Sequence, residues 1–383
     1  MQLSNTFLMH FSALKDPRVS NHNKRHNLED ILVITILASI CGADNWVEIA
    51  EFGKARESWL STFLELPNGI PSHDTFGRVF SLLEPHDFNE CFNSWIGSLK
   101  VDVTNSVIAI DGKTLRGSGN RRKGDRPLHL VSAWACEQQL LLGQVCTREK
   151  SNEITAIPEL LDMIDVEGST ITIDAMGCQK TIAEKIFKKD GDYVLNLKEN
   201  QKSLYDFVEA FFKMGEQRQF KKILNRRVVE KVRDHGRVER RRYTLVSARD
   251  QVAFELRWPG LRGIGMLEVV RTTNNVVERS TRYFLTSICY DDINRFASSV
   301  RKHWSIETSM HWSLDVSFRE DHNQVRDRNS AENLAIVRRV ALNLLKQEKS
   351  VKAGISARRK RAGWDDNYLF AVLNSDKKIP KKS

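Results

Sequence analysis

Six cysteines are scattered through the chain, at 41, 91, 136, 146, 178 and 289, and no two stand as Cys-x-x-Cys. That spacing offers neither a zinc ribbon nor a disulfide framework, and it suits a reducing compartment. Proline (8) and glycine (20) are too scarce for a collagenous or low-complexity chain. The longest uncharged apolar run, residues 31–41, falls well short of the ~20 residues that cross a bilayer. The amino terminus shows no basic stretch leading into an apolar one. Membrane and secreted classes are therefore not expected, and the cytoplasm is. What remains is globular composition, 41% hydrophobic and 28% charged, with 383 residues for two or three domains.

The formal charge of +10 is unevenly spread. Residues 1–100 carry 8 basic and 12 acidic side chains, whereas 113–126 carry 6 and 1, 213–242 carry 12 and 4, and 346–383 carry 11 and 4. A single charge run is commonly a solvated face. Three in one chain point to a long polyanion such as DNA.

The patterning divides the chain. Residues 28–40 read as a helix capped by Asn27, and Trp46, Ile49, Ala50, Trp59 and Phe63 recur at helical spacing, so residues 1–100 are expected to form a helical domain. A helix after Gly69-Ile70-Pro71 fits bundle packing or part of a helix-turn-helix that reads DNA ends. Three short strands follow at 107–110, 128–135 and 140–146. Strands at 170–173 and 193–197 then alternate with helices at 153–164 and 179–189, which predicts a mixed α/β sheet. Residues 226–247 read as a hairpin turning at Asp234-His235-Gly236, and 268–271 and 283–287 as further strands. Residues 294–312 and 331–346 read as helices, while the alternation of Trp312, Leu314, Val316 and Phe318 predicts a strand.

Two strands deliver a carboxylate at an apolar end: Val107-Ile108-Ala109-Ile110-Asp111-Gly112-Lys113 and Thr170-Ile171-Thr172-Ile173-Asp174-Ala175-Met176-Gly177. Such a group is partly desolvated and needs a cation or hydrogen bonds to stay charged. Asp-Gly also starts turns, so Asp111 alone decides little. The third acid, Glu307, lies in His303-Trp304-Ser305-Ile306-Glu307-Thr308-Ser309-Met310-His311-Trp312. Two strand carboxylates and one helical carboxylate suit two Mg²⁺ ions, with Mn²⁺ as substitute, and hence in-line phosphoryl transfer.

Ile110-Asp111-Gly112-Lys113, Ile173-Asp174-Ala175-Met176-Gly177-Cys178-Gln179 and His303-Trp304-x-Ile306-Glu307 occur in this order in one family. Over nearly its whole length the chain resembles the DDE-type insertion-sequence transposases that include the H-repeat-associated proteins of Rhs elements. Further matching stretches are 26–85, Asn196-x-Lys198-x-Asn200-Gln201 and His311-Trp312-x-Leu314-Asp315-Val316-x-Phe318-x-Glu320-Asp321. The resemblance implies a ribonuclease-H-like core with Asp111, Asp174 and Glu307 as catalytic, metal-binding acids. It implies a β-rich insertion at 202–280 that splits the core into 101–201 and 281–347, while the charge count makes that insertion basic and 348–383 a basic helical tail. It also implies transposition of bacterial insertion-sequence DNA: cleavage at element ends, joining of 3′-hydroxyls to target DNA, and pairing of the ends by a homodimer or larger assembly in the cytoplasm, on the nucleoid when DNA is bound. The alternatives are a stand-alone metal-dependent nuclease and a non-catalytic DNA-binding descendant.

The family's signature Tyr-x-x-Arg-x-x-x-Glu, with Lys seven positions on, is not kept: Val300, His303 and Leu314 stand in those places. Arg301, Lys302 or Arg319 are the substitutes for the missing phosphate contacts. His311, four residues past Glu307, shares its helical face and is a candidate to support the metal site, or simply packs. Candidate DNA contacts are Lys113 and Arg116 in the first basic segment, Lys198, Asn200 and Gln201 after a strand, and Arg226, Arg227, Arg240, Arg241 and Arg242 in the insertion. Arg301, His303 and Trp304 join them, the indole as a surface for an unpaired base.

Overall fold

The computed structural model describes residues 6–19, 24–119, 124–147, 153–221, 223–234, 237–248, 258–274 and 276–375. The amino-terminal part is helical: α1 (Thr6–Phe11), α2 (Leu28–Cys41), α3 (Trp46–Ala55), α4 (Glu57–Leu60), α5 (His73–Leu82) and α6 (Pro85–Ser98). Helix α2 is apolar around its whole circumference, so it must be covered on all sides, and residues 30–40 are all buried. Asn27 stands at its amino-terminal cap without a capping bond, its amide donating instead to Glu65 at 2.6 Å. At α5 the expected chemistry is present, Ser72 Oγ accepting from Thr75 N. Among the described residues no single helix is long and apolar enough to cross a membrane; only the bent pair α2 and α3 passes by length and composition.

Strands β1 (Val107–Thr114), β2 (His129–Ala135) and β3 (Leu140–Cys146) form an antiparallel meander. Helix α7 (Glu153–Met163), β4 (Thr170–Ile173), α8 (Lys180–Lys188) and β5 (Asp192–Leu197) follow, with β4 and β5 parallel to β1. The spatial order β3-β2-β1-β4-β5 is a ribonuclease-H-like core. Helix α9 (Lys202–Gln217) precedes β6 (Asn225–Asp234), β7 (Arg237–Ser247), β8 (Gly263–Thr273) and β9 (Val276–Thr286). β9 pairs antiparallel with β5, so these strands extend the core into one nine-stranded sheet. The boundary expected at 280 falls inside β9. Asp234 pairs with Arg237 across the expected hairpin, whose turn residues His235 and Gly236 lie outside the described residues.

Helix α10 (Ile293–His303) leads into a π-helical segment, Ile306–His311 and Ser313–Ser317, and then α11 (Arg328–Gln347), α12 (Ile355–Trp364) and α13 (Asp366–Leu373). The strand expected at 312–318 is not formed. Leu314 and Phe318 point inward while Trp312 and Val316 are exposed, so the alternation arose from two apolar residues facing solvent. Residues 348–375 do not hang free: α12 and α13 pack on α2, burying Ile355, Ala362, Leu369 and Val372.

Helix α11 is buried for nearly its full length and joins the helical layer to the core. Its Asn333 amide donates to Phe80 O and Leu83 O. Asn343 both accepts from Leu141 N (2.9 Å) and donates to Leu141 O (3.0 Å), satisfying the outer edge of β3 as another strand would. On the sheet's insertion half the Phe296 ring of α10 lies against Gly265 so closely that a methyl there would meet it at 2.2 Å.

Candidate active site and nucleic-acid interface

Register brings the first two acids together. Ile110 pairs with Ile173 across the parallel strands β1 and β4, so Asp111 and Asp174, each the next residue, emerge at the same level of the same edge. Alternation along β1 sends Asp111 to one face and leaves Gly112 facing the other, where Glu153, at the start of α7, and His129 occupy the space of a side chain. The Glu153 carboxylate accepts a hydrogen bond from His129 Nε2 at 2.8 Å.

The third acid arrives from the segment after α10. Glu307 Oε2 lies 3.4 Å from His311 Nδ1, and the same nitrogen is 3.7 Å from Asp111 Oδ2. Ligating atoms of Asp111, Glu307 and His311 all lie within 4.8 Å of one another. Asp174 stands outside that tight group, its Oδ1 accepting from Met176 N at 3.0 Å. Burial, and then the Glu307 carboxylate beside it, push Asp111 up to about 8, whereas the His311 ring holds Glu307 down at about 2. Burial and next the Glu153 carboxylate raise Asp174, against the opposing amides of Met176 and Gly177. His311 is buried and its Nε2 has no hydrogen-bond partner among the described residues.

These features test the fit of a metal. Acids held so close that one is driven to keep a proton are relieved by a divalent cation, and carboxylate oxygens are the donors that Mg²⁺ and Mn²⁺ prefer. The residues fit such an ion by donor type: Asp111, Asp174 and Glu307 offer carboxylate oxygens that could hold it, and His311 lies against Asp111 and Glu307.

The candidate DNA contacts do not share one surface. Lys113 is not at the surface: it is 7% exposed, its ammonium among Asp315, Asp321 and Glu320, because alternation on β1 turns it to the covered face beside Asp111. Arg116 is exposed, 3.5 Å from Asp321. The Asn200 amide donates to Ala175 O (2.7 Å) and the Gln201 amide to Cys178 O (3.2 Å), so both side chains fix the loop after Asp174. Lys198 lines a pocket of about 520 Å³ with Asp174, Tyr205 and Arg282. His303 is bonded to Thr172 Oγ1 at 3.0 Å, and burial pushes it down to about 4, which leaves it neutral at pH 7.

In the insertion the period of two splits the arginines. Arg241 lines a groove of about 1040 Å³ together with Arg237, Arg271, Arg279 and Arg282 from β7 to β9, and with Arg301 and Trp304 beside the Glu307 segment. Arg240 and Arg242 alternate to the opposite face, where Arg242 pairs with Glu268 and Glu216. Arg227 is also tied to Glu216, and Arg226 is exposed on β6. Buried Glu239 gathers Arg237, Arg241 and Arg271. Sequence reasoning passed over Arg237, Arg271, Arg279 and Arg282; strand alternation would have grouped Arg237 with Arg241. Nothing local marked Glu153.

Comparison with known proteins follows the same outline. The family described as Transposase DDE domain matches residues 103–344, and one described as DDE_Tnp_1-associated matches 8–96. The chain is 38% identical over 375 residues to the H repeat-associated putative transposase YhhI of Escherichia coli (strain K12), covering 95% of this chain and 96% of that one. It is 46% identical over 279 residues to the uncharacterized protein in the dhlA 3′ region of Xanthobacter autotrophicus, covering 72% and 92%. A solved piggyBac transposase synaptic complex with hairpin DNA overlaps 98% of this chain and 77% of its own, at a TM-score of 0.42 and 10% identity. At that level of likeness the fold rests on the strand order above.

Proposed function

Because the chain belongs to the DDE transposase family, we propose that it cuts DNA at the ends of an insertion sequence and joins the freed 3′-hydroxyls to target DNA. The observation that carries this reading is the placement of Asp111 and Asp174 at one strand edge, with Glu307 drawn against Asp111 and an arginine groove running up to the Glu307 segment. Divalent cations held by these acids would activate water or a 3′-hydroxyl as nucleophile and stabilise the leaving oxygen.

The protein's own groups do the rest. Asp111 and Asp174 are fixed by the sheet, and the loop after Asp174 is held by Asn200 and Gln201. His311 orients Glu307 from one turn away and keeps its carboxylate ionised. Arg237, Arg241, Arg271, Arg279, Arg282 and Arg301 present cationic surface along which a DNA backbone can lie while its end stays beside the acids. Holding two element ends at once calls for at least two copies of the chain.

Incubation of the protein with DNA from the flanks of its own gene, in Mg²⁺ or Mn²⁺, tests this directly. Discrete cuts at the element boundaries are expected. Intact flanks in both metals would contradict the reading.

A further inference from the structure

Lys113 and Asp111 lie two residues apart on β1 and share a face of the sheet. The Lys113 ammonium reaches Asp315 Oδ1 at 2.6 Å, Asp321 Oδ1 at 3.2 Å and Glu320 Oε2 at 3.8 Å. Asp315 belongs to the π-helical segment that carries Glu307. One buried cation on the strand of the first acid thus grips the helix of the third.

That helix has an unusual register. Trp312 N bonds to Glu307 O and Phe318 N to Ser313 O, five residues apart in each case. Such turns are rare and cluster at functional sites. Here the far end is fastened from outside. The Arg359 guanidinium of α12 donates to Ser317 O and to Ser39 O on α2, lies 3.3 Å from Asp44 Oδ1 and stacks 4.1 Å over the Phe318 ring. Just beyond, Arg319 takes φ 51°, which ends the helix, and fully buried Glu320 pairs with fully buried Arg339 at 2.6 Å. Buried ions cost desolvation that packed apolar groups would avoid, so what they contribute is direction. If the segment relaxed to four-residue pairing, Glu307 would rotate relative to Asp315 and leave the face it shares with Asp111.

We propose that Lys113 and Arg359 are positioning residues that lock the five-residue register of the segment 306–317 and thereby set Glu307 against Asp111. The proposal rests on the reading that the two acids act as one site. It places helix α12, through Arg359, in the construction of the catalytic site.

The test compares Asp315→Asn, Lys113→Met, their combination, Arg359→Met and Lys113→Arg by hydrogen exchange with mass spectrometry, by Mn²⁺ binding from electron paramagnetic resonance, and by single-turnover cleavage. Exchange over 306–317 should rise about tenfold in each Asn or Met variant, with the strands β1 to β5 unchanged. Mn²⁺ affinity or cleavage should fall about 10- to 100-fold, as for other groups that orient metal ligands. Lys113→Arg should recover part of the loss, and the combined variant should be no worse than Lys113→Met alone, because both changes cut one link. Should Lys113→Met or Arg359→Met fail to fold, Asp315→Asn carries the test, since it leaves Lys113 its partners Asp321 and Glu320. Unchanged exchange and Mn²⁺ affinity in Asp315→Asn, or additive single effects, would overturn the proposal. A native protein that neither binds Mn²⁺ nor cuts DNA would sink the functional reading, while the exchange data would still judge the brace.

Discussion

At the ends of the shared run of β1 and β4, Asp111 and Asp174 are half-buried and lie above the ordinary carboxylate range, because desolvation, and then Glu307 beside the first and Glu153 beside the second, disfavours their charge. On β7, Glu239 is buried too; desolvation opposes its charge, yet Arg237 and Arg241 outweigh it and hold the carboxyl below that range. The same side-chain chemistry is balanced from within in one place and left short of positive charge in the other. On the proposed function, a carboxylate cluster that the fold does not neutralise would take a cation from outside. A guanidinium cluster gathered on one carboxylate keeps surplus positive charge, in a fixed arrangement, for an anion.

The largest expected effect breaks the catalytic side of this contrast. Asp111→Asn, Asp174→Asn and Glu307→Gln should each abolish strand cleavage while DNA binding stays within about tenfold, since the cationic groove is untouched. Gel-based cleavage and binding assays on the purified variants read both. Full cleavage by any variant removes that residue from the site.

Stability should respond with opposite signs in the two regions. In metal-free buffer Asp111→Asn relieves repulsion and should melt above the native protein. Glu239→Gln strips three arginines of their shared carboxylate and should cost about 1–3 kcal/mol, a range already reduced for the partial exposure of those arginines. The pH dependence follows from the lowered Glu239 pKa: its stabilisation is present above the unfolded value near 4.5 and fades as pH falls through the folded one. Urea unfolding at pH 7 and pH 3 should therefore show the gap between native protein and Glu239→Gln closing in acid.

A smaller effect sharpens the division of the insertion into faces. Each phosphate neutralised on duplex DNA contributes about −0.9 to the slope of log affinity against log salt. Replacing Arg241, Arg282 and Arg301 in the groove by Gln should flatten that slope by roughly 2 to 3 units, and replacing Arg227, Arg240 and Arg242 by less than about 1. Equal changes would merge the two faces.

The sequence displayed the two strand acids because four buried residues rich in β-branched side chains precede each, Val107 to Ile110 and Thr170 to Ile173, a pattern that local chemistry enforces. Glu307 needed the family motif as well. The sheet's order beyond β5 was not legible, since pairing of β9 with β5 joins residues some ninety positions apart and is settled by packing. Lys113 read as a surface cation because its partners Asp315 and Asp321 lie some two hundred residues away. Residues 312–318 read as a strand because exposed Trp312 and Val316 mimicked a buried alternation. The basic tail was legible as charge and as helix but not as packing: Arg359 is spent on backbone carbonyls and Asp44, which no composition reveals.

The central claim, that this acid edge joins DNA as well as cutting it, is met most directly by one strand-transfer assay. Water and a 3′-hydroxyl are alternative nucleophiles at one site, so joining depends on the cut end staying in place. A precut element end bearing a 3′-hydroxyl should be joined to unrelated DNA in Mg²⁺ by the native protein, and neither the same end with a 3′-deoxy terminus nor the Glu307→Gln variant should give product. Efficient cutting of element ends with no joining of the precut 3′-hydroxyl end in any divalent metal would contradict the account and leave a nuclease in its place.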